Sequence, residues 1–75
     1  MELEIPVIKA QIEKGEYMIR NNGGVVRDDG SFSIKGVKGY YVFDEDASVL
    51  KINITDKPWL ASWEMIEGEV RKFFA

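Results

Sequence analysis

The side chains of this chain that are best suited to binding a ligand lie in an acidic stretch at residues 44–48. Its oxygen-bearing residues are Asp44, Glu45, Asp46 and Ser48. Three of them stand at alternate positions, which is the opening spacing of a calcium-binding loop. However, Val49 and Thr55 occupy the positions where an EF-hand requires a glycine and a bidentate glutamate, so the stretch is not an EF-hand.

Two interpretations of the acidic stretch remain. In the first, it binds a divalent cation such as Ca²⁺ in an open site, joined by Asp28 and Asp29 of an earlier turn. In the second, both segments are solvated turns, where Asp and Ser are common because their side chains hydrogen-bond to the nearby backbone. The sequence favours plain turns, and no cofactor is expected apart from this candidate calcium site.

The chain contains no histidine and no cysteine, so it lacks the usual proton shuttle, the commonest ligands for transition metals and the thiolate nucleophile. Its serines have no base beside them in the sequence, and no spacing pairs a lysine or a tyrosine with a nucleophile. We therefore predict no catalytic residue and no enzymatic activity.

Length and charge narrow the class of protein further. A chain of 75 residues is expected to form a single domain over residues 1–75 with a thin margin of stability, which a partner subunit would increase. The net charge of −3 argues against a general nucleic-acid binder. No apolar stretch approaches the roughly 18 residues of a membrane span, and the first residues lack the basic region of a signal peptide, so we expect a cytoplasmic protein.

The N-terminal part, residues 5–21, fits two patterns. As a helix, it places its apolar side chains on one stripe, namely Ile5, Ile8, Ile12, Gly15 and Ile19, with Pro6 in the first turn. As two strands joined at Lys14–Gly15, it places Glu13 opposite Glu16, and that pair of like charges is unfavourable. The sequence therefore favours the helix.

From Gly24 onward the apolar period changes to two, which predicts four short antiparallel strands in a meander. Residues 25–28 and 31–35 flank a two-residue turn at Asp29–Gly30, with Val25 opposite Ile34. A third strand covers residues 40–43. In the fourth, Leu50, Ile52 and Ile54 point inward, whereas Lys51, Asn53 and Thr55 point outward.

The C-terminal part predicts a long amphipathic helix that packs on the sheet. Asp56 is a natural cap for it, and Pro58 is tolerated in the first turn. Its apolar stripe contains Trp59, Leu60, Trp63, Ile66, Val70, Phe73 and Phe74. We expect Trp59, Trp63, Ile66, Val70 and Phe73 to form packed core or, alternatively, to line a pocket for an apolar ligand.

The second face of the sheet is a further candidate surface, because residues 40–43 are all apolar or aromatic and two of them must point away from the core. Next to Lys35 or Lys51 they could stack single-stranded bases, although the net charge opposes this. The favoured interpretation is that the N-terminal helix or a second subunit covers this face.

Residues 30–74 resemble the polyhydroxyalkanoic acid system family, whose members are linked to bacterial storage granules. The matching features are Phe32, Gly36–Gly39, Val49, Ile52, Ile54, the start Pro58–Leu60, Ile66, Glu67 and Val70. The resemblance implies a helix, a curved antiparallel sheet and a long C-terminal helix gripped by that sheet. It implies no catalytic residue.

Together these patterns predict an α+β fold with an N-terminal helix, a four-stranded antiparallel meander and a long C-terminal amphipathic helix packed on the sheet. The predicted function is that of a small non-enzymatic interaction domain, which contacts a protein partner or its own copy as a homodimer. A calcium-binding protein is the first alternative. A single-stranded nucleic-acid or apolar-ligand binder is the second.

Overall fold

The computed structural model describes residues 1–75 and contains one five-stranded antiparallel sheet and two helices. The elements are β1 (Glu2–Pro6), α1 (Lys9–Asn21), β2 (Val25–Val26), β3 (Ser31–Ile34), β4 (Val37–Asp44), β5 (Val49–Asp56) and α2 (Trp63–Phe73). Across the sheet the strand order is β1-β5-β4-β3-β2. The α+β class and the antiparallel sheet are confirmed, whereas the predicted four strands, leading helix and long final helix are wrong.

The chain begins with a strand and not with a helix. Leu3 and Ile5 are buried and pair with Ile52 and Leu50 of β5, while the intervening glutamates are exposed. Pro6 ends this strand at the edge of the sheet, where its missing N–H breaks no interior hydrogen bond. The helix predicted over residues 5–21 therefore begins later, at Lys9, and the alternative of two strands is also wrong.

The hairpin between β2 and β3 differs from the prediction by one residue of register. Val25 lies opposite Ser33 and Val26 opposite Phe32, because the loop contains three residues, 28–30. Gly30 adopts a φ of 87°, which suits the last position of such a loop. This shift turns Val26 toward the buried face with Phe32, and it leaves Val25 on the opposite face, 48% exposed.

The strands β3 and β5 keep the predicted alternation, whereas β4 (Val37–Asp44) extends beyond the predicted residues 40–43 at both ends. Phe32 and Ile34 are buried, as are Leu50, Ile52 and Ile54, and the residues between them point to the other face. A tight turn at Lys35–Gly36, with φ angles of 49° and 82°, joins β3 to β4. A register shift at Lys38/Gly39 marks an irregularity in β4.

Helix α2 begins at Trp63 and is shorter than predicted. Its N-cap is Ser62, whose hydroxyl accepts a hydrogen bond from the Met65 N–H at 3.1 Å. Asp56, the predicted cap, is the last residue of β5 and lies opposite Lys38. Residues 57–62 connect β5 to α2, so Asp56 lies too far from the first turn of α2 to cap it.

Both helices cover the same face of the sheet, and the core lies between them and the strands. Ile12, Gly15 and Ile19 of α1 are buried, and Phe74, directly after α2, is 1% exposed against Gly15. The opposite sheet face carries no helix, so the interpretation that the N-terminal helix covers it is wrong. Neither helix is sufficiently long and apolar to cross a membrane.

Candidate functional site

The acidic stretch forms the loop between β4 and β5. The Asp44 carboxylate accepts a hydrogen bond from the Ala47 N–H at 3.2 Å and lies 3.9 Å from the Lys51 ammonium. Glu45 lies 3.8 Å from the ammonium of Lys9, and Asp46 and Ser48 are exposed. These contacts are those of a solvated turn.

The second acidic turn, between β2 and β3, is organised by Asp29. Its Oδ1 accepts hydrogen bonds from the Ser31 backbone N–H at 2.9 Å and from the Ser31 hydroxyl at 2.6 Å. These two bonds, the hydroxyl first, lower the pKa of Asp29 below its usual value. The structure contains no group of three or more carboxylates that could hold a metal ion.

The two tryptophans lie outside the core, which corrects the prediction for them. Trp59 is 85% exposed, and Trp63, in the first turn of α2, is 42% exposed. The Lys57 ammonium lies 5.1 Å from the centre of the Trp63 ring, a cation–π distance. The prediction failed because it placed Trp59 on a helical stripe, whereas the helix starts four residues later.

Trp59 and Leu60 occupy the tip of a tight turn. The Ala61 N–H donates to the Pro58 carbonyl at 3.0 Å, so the two residues between them are the central pair of a β-turn. Pro58 contacts Gly36, where an added Cβ would lie 3.0 Å from the Pro58 Cγ, and Ala61 packs against the core. Because both ends of the turn are anchored, its tip holds Trp59 and Leu60 toward solvent.

We call Trp59, Leu60 and Trp63 the apolar patch. Leu60 is 78% exposed, so the patch presents three large apolar side chains within five residues of the chain. Single exposed apolar residues are common on protein surfaces, but contiguous exposed apolar surface marks an interaction site. Tryptophan is also among the residues that contribute most to binding energy at interfaces.

A cleft of about 370 Å³ lies beside this patch, between α1, α2 and the β3–β4 hairpin. We call it the interhelical cleft. Its lining residues are Met18, Ile19, Asn22, Phe32, Ile34, Lys35, Val37, Pro58, Ala61, Ile66, Glu69, Val70, Phe73 and Phe74. The predicted lining residues Ile66, Val70 and Phe73 are among them, whereas Trp59 and Trp63 are not. The prediction did not include Pro58 or any residue of α1 in the lining of a pocket. No local sequence pattern shows that α1 packs next to α2.

The uncovered sheet face is a weaker candidate. Tyr40 and Val42 point outward, at 47% and 61% exposure, and the Tyr40 hydroxyl accepts a hydrogen bond from the Asn53 amide at 2.9 Å. The other two residues of the stretch, Tyr41 and Phe43, pack against the core. A single tyrosine flanked by the carboxylates of β1 lacks the series of aromatic rings that stacks successive bases.

Comparison of the chain with protein-family models, with curated proteins and with solved structures finds no match. The resemblance to the polyhydroxyalkanoic acid system family therefore stays an expectation from the sequence. The candidate site is defined by its own geometry, namely the apolar patch and the interhelical cleft next to it.

Proposed function

We propose that this chain is a non-enzymatic interaction domain that associates with a second copy of itself through the apolar patch. The observation that carries the proposal is the exposure of Trp59 on an anchored turn, with Leu60 beside it. A rigid aromatic anchor binds well because little conformational freedom is lost on association. Its exposure in a monomer, in contrast, leaves apolar surface in water at a cost of about 25 cal/mol for each Å².

The size of the chain supports self-association. A domain of this length buries a smaller fraction of its surface than a larger one, and it has no disulfide that would add stability. Small domains often gain the missing burial from a partner subunit. In a homodimer both copies use the same patch, so the Trp59 of each copy lies in the one interface between them.

The experiment is sedimentation equilibrium over a wide concentration range, from micromolar to millimolar protein. We expect the average mass of the wild type to rise toward that of a dimer, and the variant Trp59→Ser/Leu60→Ser to stay monomeric. Val42→Ser is the matched control, because it removes an exposed apolar side chain from the opposite sheet face. A wild type that stays monomeric throughout would refute the proposal, as would equal dimerisation of the double variant.

A further inference from the structure

The interhelical cleft has the most apolar lining of the concavities on this chain, with ten hydrophobic residues among fourteen. Its apolar walls include Met18, Phe32, Ile66 and Phe73, and its volume of about 370 Å³ falls within the range of about 300–1,000 Å³ that is typical of ligand sites. Polar groups are confined to a few positions such as Asn22, Lys35 and Glu69. An apolar interior with a polar rim is the arrangement found at protein interfaces.

The chain's own exposed tryptophan does not lie in this cleft. Pro58 and Ala61 line the cleft, and the β-turn between them carries Trp59 and Leu60, which do not line it. The two ends of the turn lie at the wall of the cleft, and the residues at its tip are exposed to solvent. One surface therefore carries an apolar projection and an apolar depression side by side.

We infer that two copies of the chain pair around a two-fold axis, with Trp59 and Leu60 of each copy inserted into the interhelical cleft of the other. This inference rests on the proposed self-association and specifies its geometry. A two-fold contact requires a surface that is complementary to itself, and a projection next to a depression meets that requirement. Each inserted indole buries on the order of 150–250 Å² that the monomer exposes.

The reciprocal arrangement explains two features with one contact. The exposed Trp59 and the walls of the cleft each leave apolar surface in water in an isolated monomer, and each is the complement of the other. Trp63 lies at the start of α2 with the Lys57 ammonium over its ring, and it would border the inserted turn. The contact also leaves the opposite sheet face free.

The test uses a variant that fills the cleft and a matched control. Glu69→Trp adds an aromatic side chain at the cleft wall from an exposed helical position, whereas Glu13→Trp makes the same change at an exposed position of α1 that does not line the cleft. We expect Glu69→Trp to raise the dimer Kd about tenfold or more, as expected when an anchor residue loses its pocket, and Glu13→Trp to leave it nearly unchanged.

A second measurement locates Trp59 directly. In a mixture of isotope-labelled and unlabelled chains, filtered NMR spectra report only contacts between two copies. We expect intermolecular contacts between the Trp59 ring and the methyl groups of Ile66 and Met18. If the wild type dimerises but these contacts are absent, or if the two tryptophan variants dimerise equally, the insertion is refuted while self-association stands. If the wild type does not dimerise, the proposed function itself fails.

A small apolar ligand is the competing occupant of the cleft, and decanoate is a suitable probe for it. If the cleft receives the partner's tryptophan, decanoate that shifts the amide signals of Ile66 and Val70 must also dissociate the dimer. A dimer that persists while decanoate saturates those shifts would overturn the insertion, because one cavity cannot hold both.

Discussion

The ring of Phe74 lies directly against the backbone of Gly15, in the space that a Cβ atom at residue 15 would occupy. An ideal Cβ there would lie 3.0 Å from the Phe74 Cγ and still closer to two other ring carbons. Gly15 is on the buried side of α1, and Phe74 is 1% exposed. This contact brings the two helices together and thereby forms one end of the interhelical cleft.

The first prediction concerns that contact. We expect Gly15→Ala to lower the free energy of unfolding by about 1–3 kcal/mol, because the added methyl overpacks the core by more than the gain in helix propensity offsets. Gly68→Ala is the control, since a Cβ at residue 68 of α2 meets nothing within 4 Å. It should raise stability by up to about 1 kcal/mol. Urea denaturation measures the free energy of unfolding of both variants. Equal changes in the two variants would contradict the close contact between Gly15 and Phe74.

The second prediction concerns the start of α2. Ser62→Ala should lower the free energy of unfolding by about 1 kcal/mol, because it removes the hydroxyl that accepts the Met65 N–H. Asp56→Ala should have a smaller effect, since Asp56 makes no cap. Chemical denaturation of both variants distinguishes a helix that is capped by Ser62 from one that is capped by Asp56. A larger loss at Asp56 than at Ser62 would show that the helix begins earlier.

The third prediction concerns Tyr41, whose hydroxyl donates a hydrogen bond to the Glu16 carboxylate. Burial, together with the bond and charge of Glu16, raises the pKa of Tyr41 above its usual value. The folded chain therefore holds this proton more tightly than the unfolded chain. The resulting stability is fully present below about pH 10 and decreases as the pH rises from there toward the folded pKa.

The variant Tyr41→Phe isolates this effect from the titration of the lysines. We expect the free energy of unfolding of the wild type to fall more steeply than that of Tyr41→Phe between about pH 9 and about pH 11. Denaturation curves at several pH values measure both slopes. Parallel slopes would mean that Tyr41 titrates alike in the folded and unfolded states.

The sequence predicted the middle of the molecule better than its ends. The period of two in β5 is unambiguous, because Leu50, Ile52 and Ile54 alternate with polar residues and all three are buried. At the N-terminus, Ile5 fits both a strand with Leu3 and a helical stripe with Ile8. Only the pairing of β1 with β5, a contact between segments far apart in the sequence, decides between them.

The candidate site was predicted in part. Ile66 and Val70 were assigned to the inner side of the final helix, where the structure has them. Trp59 was misplaced because the prediction used Asp56 as the helix cap, whereas the observed cap is Ser62. Local propensity does not show that β5 extends through Asp56. Because the strand extends that far, the helix starts after Trp59, and Trp59 lies on an exposed turn.

The most direct test of self-association through the apolar patch follows Trp59 itself. The chain contains two tryptophans, so Trp63→Phe leaves Trp59 as the only indole reporter. As the protein concentration rises, we expect its fluorescence emission to shift to the blue and its quenching by acrylamide to decrease. An indole that stays equally accessible to acrylamide from micromolar to millimolar protein would contradict the proposal.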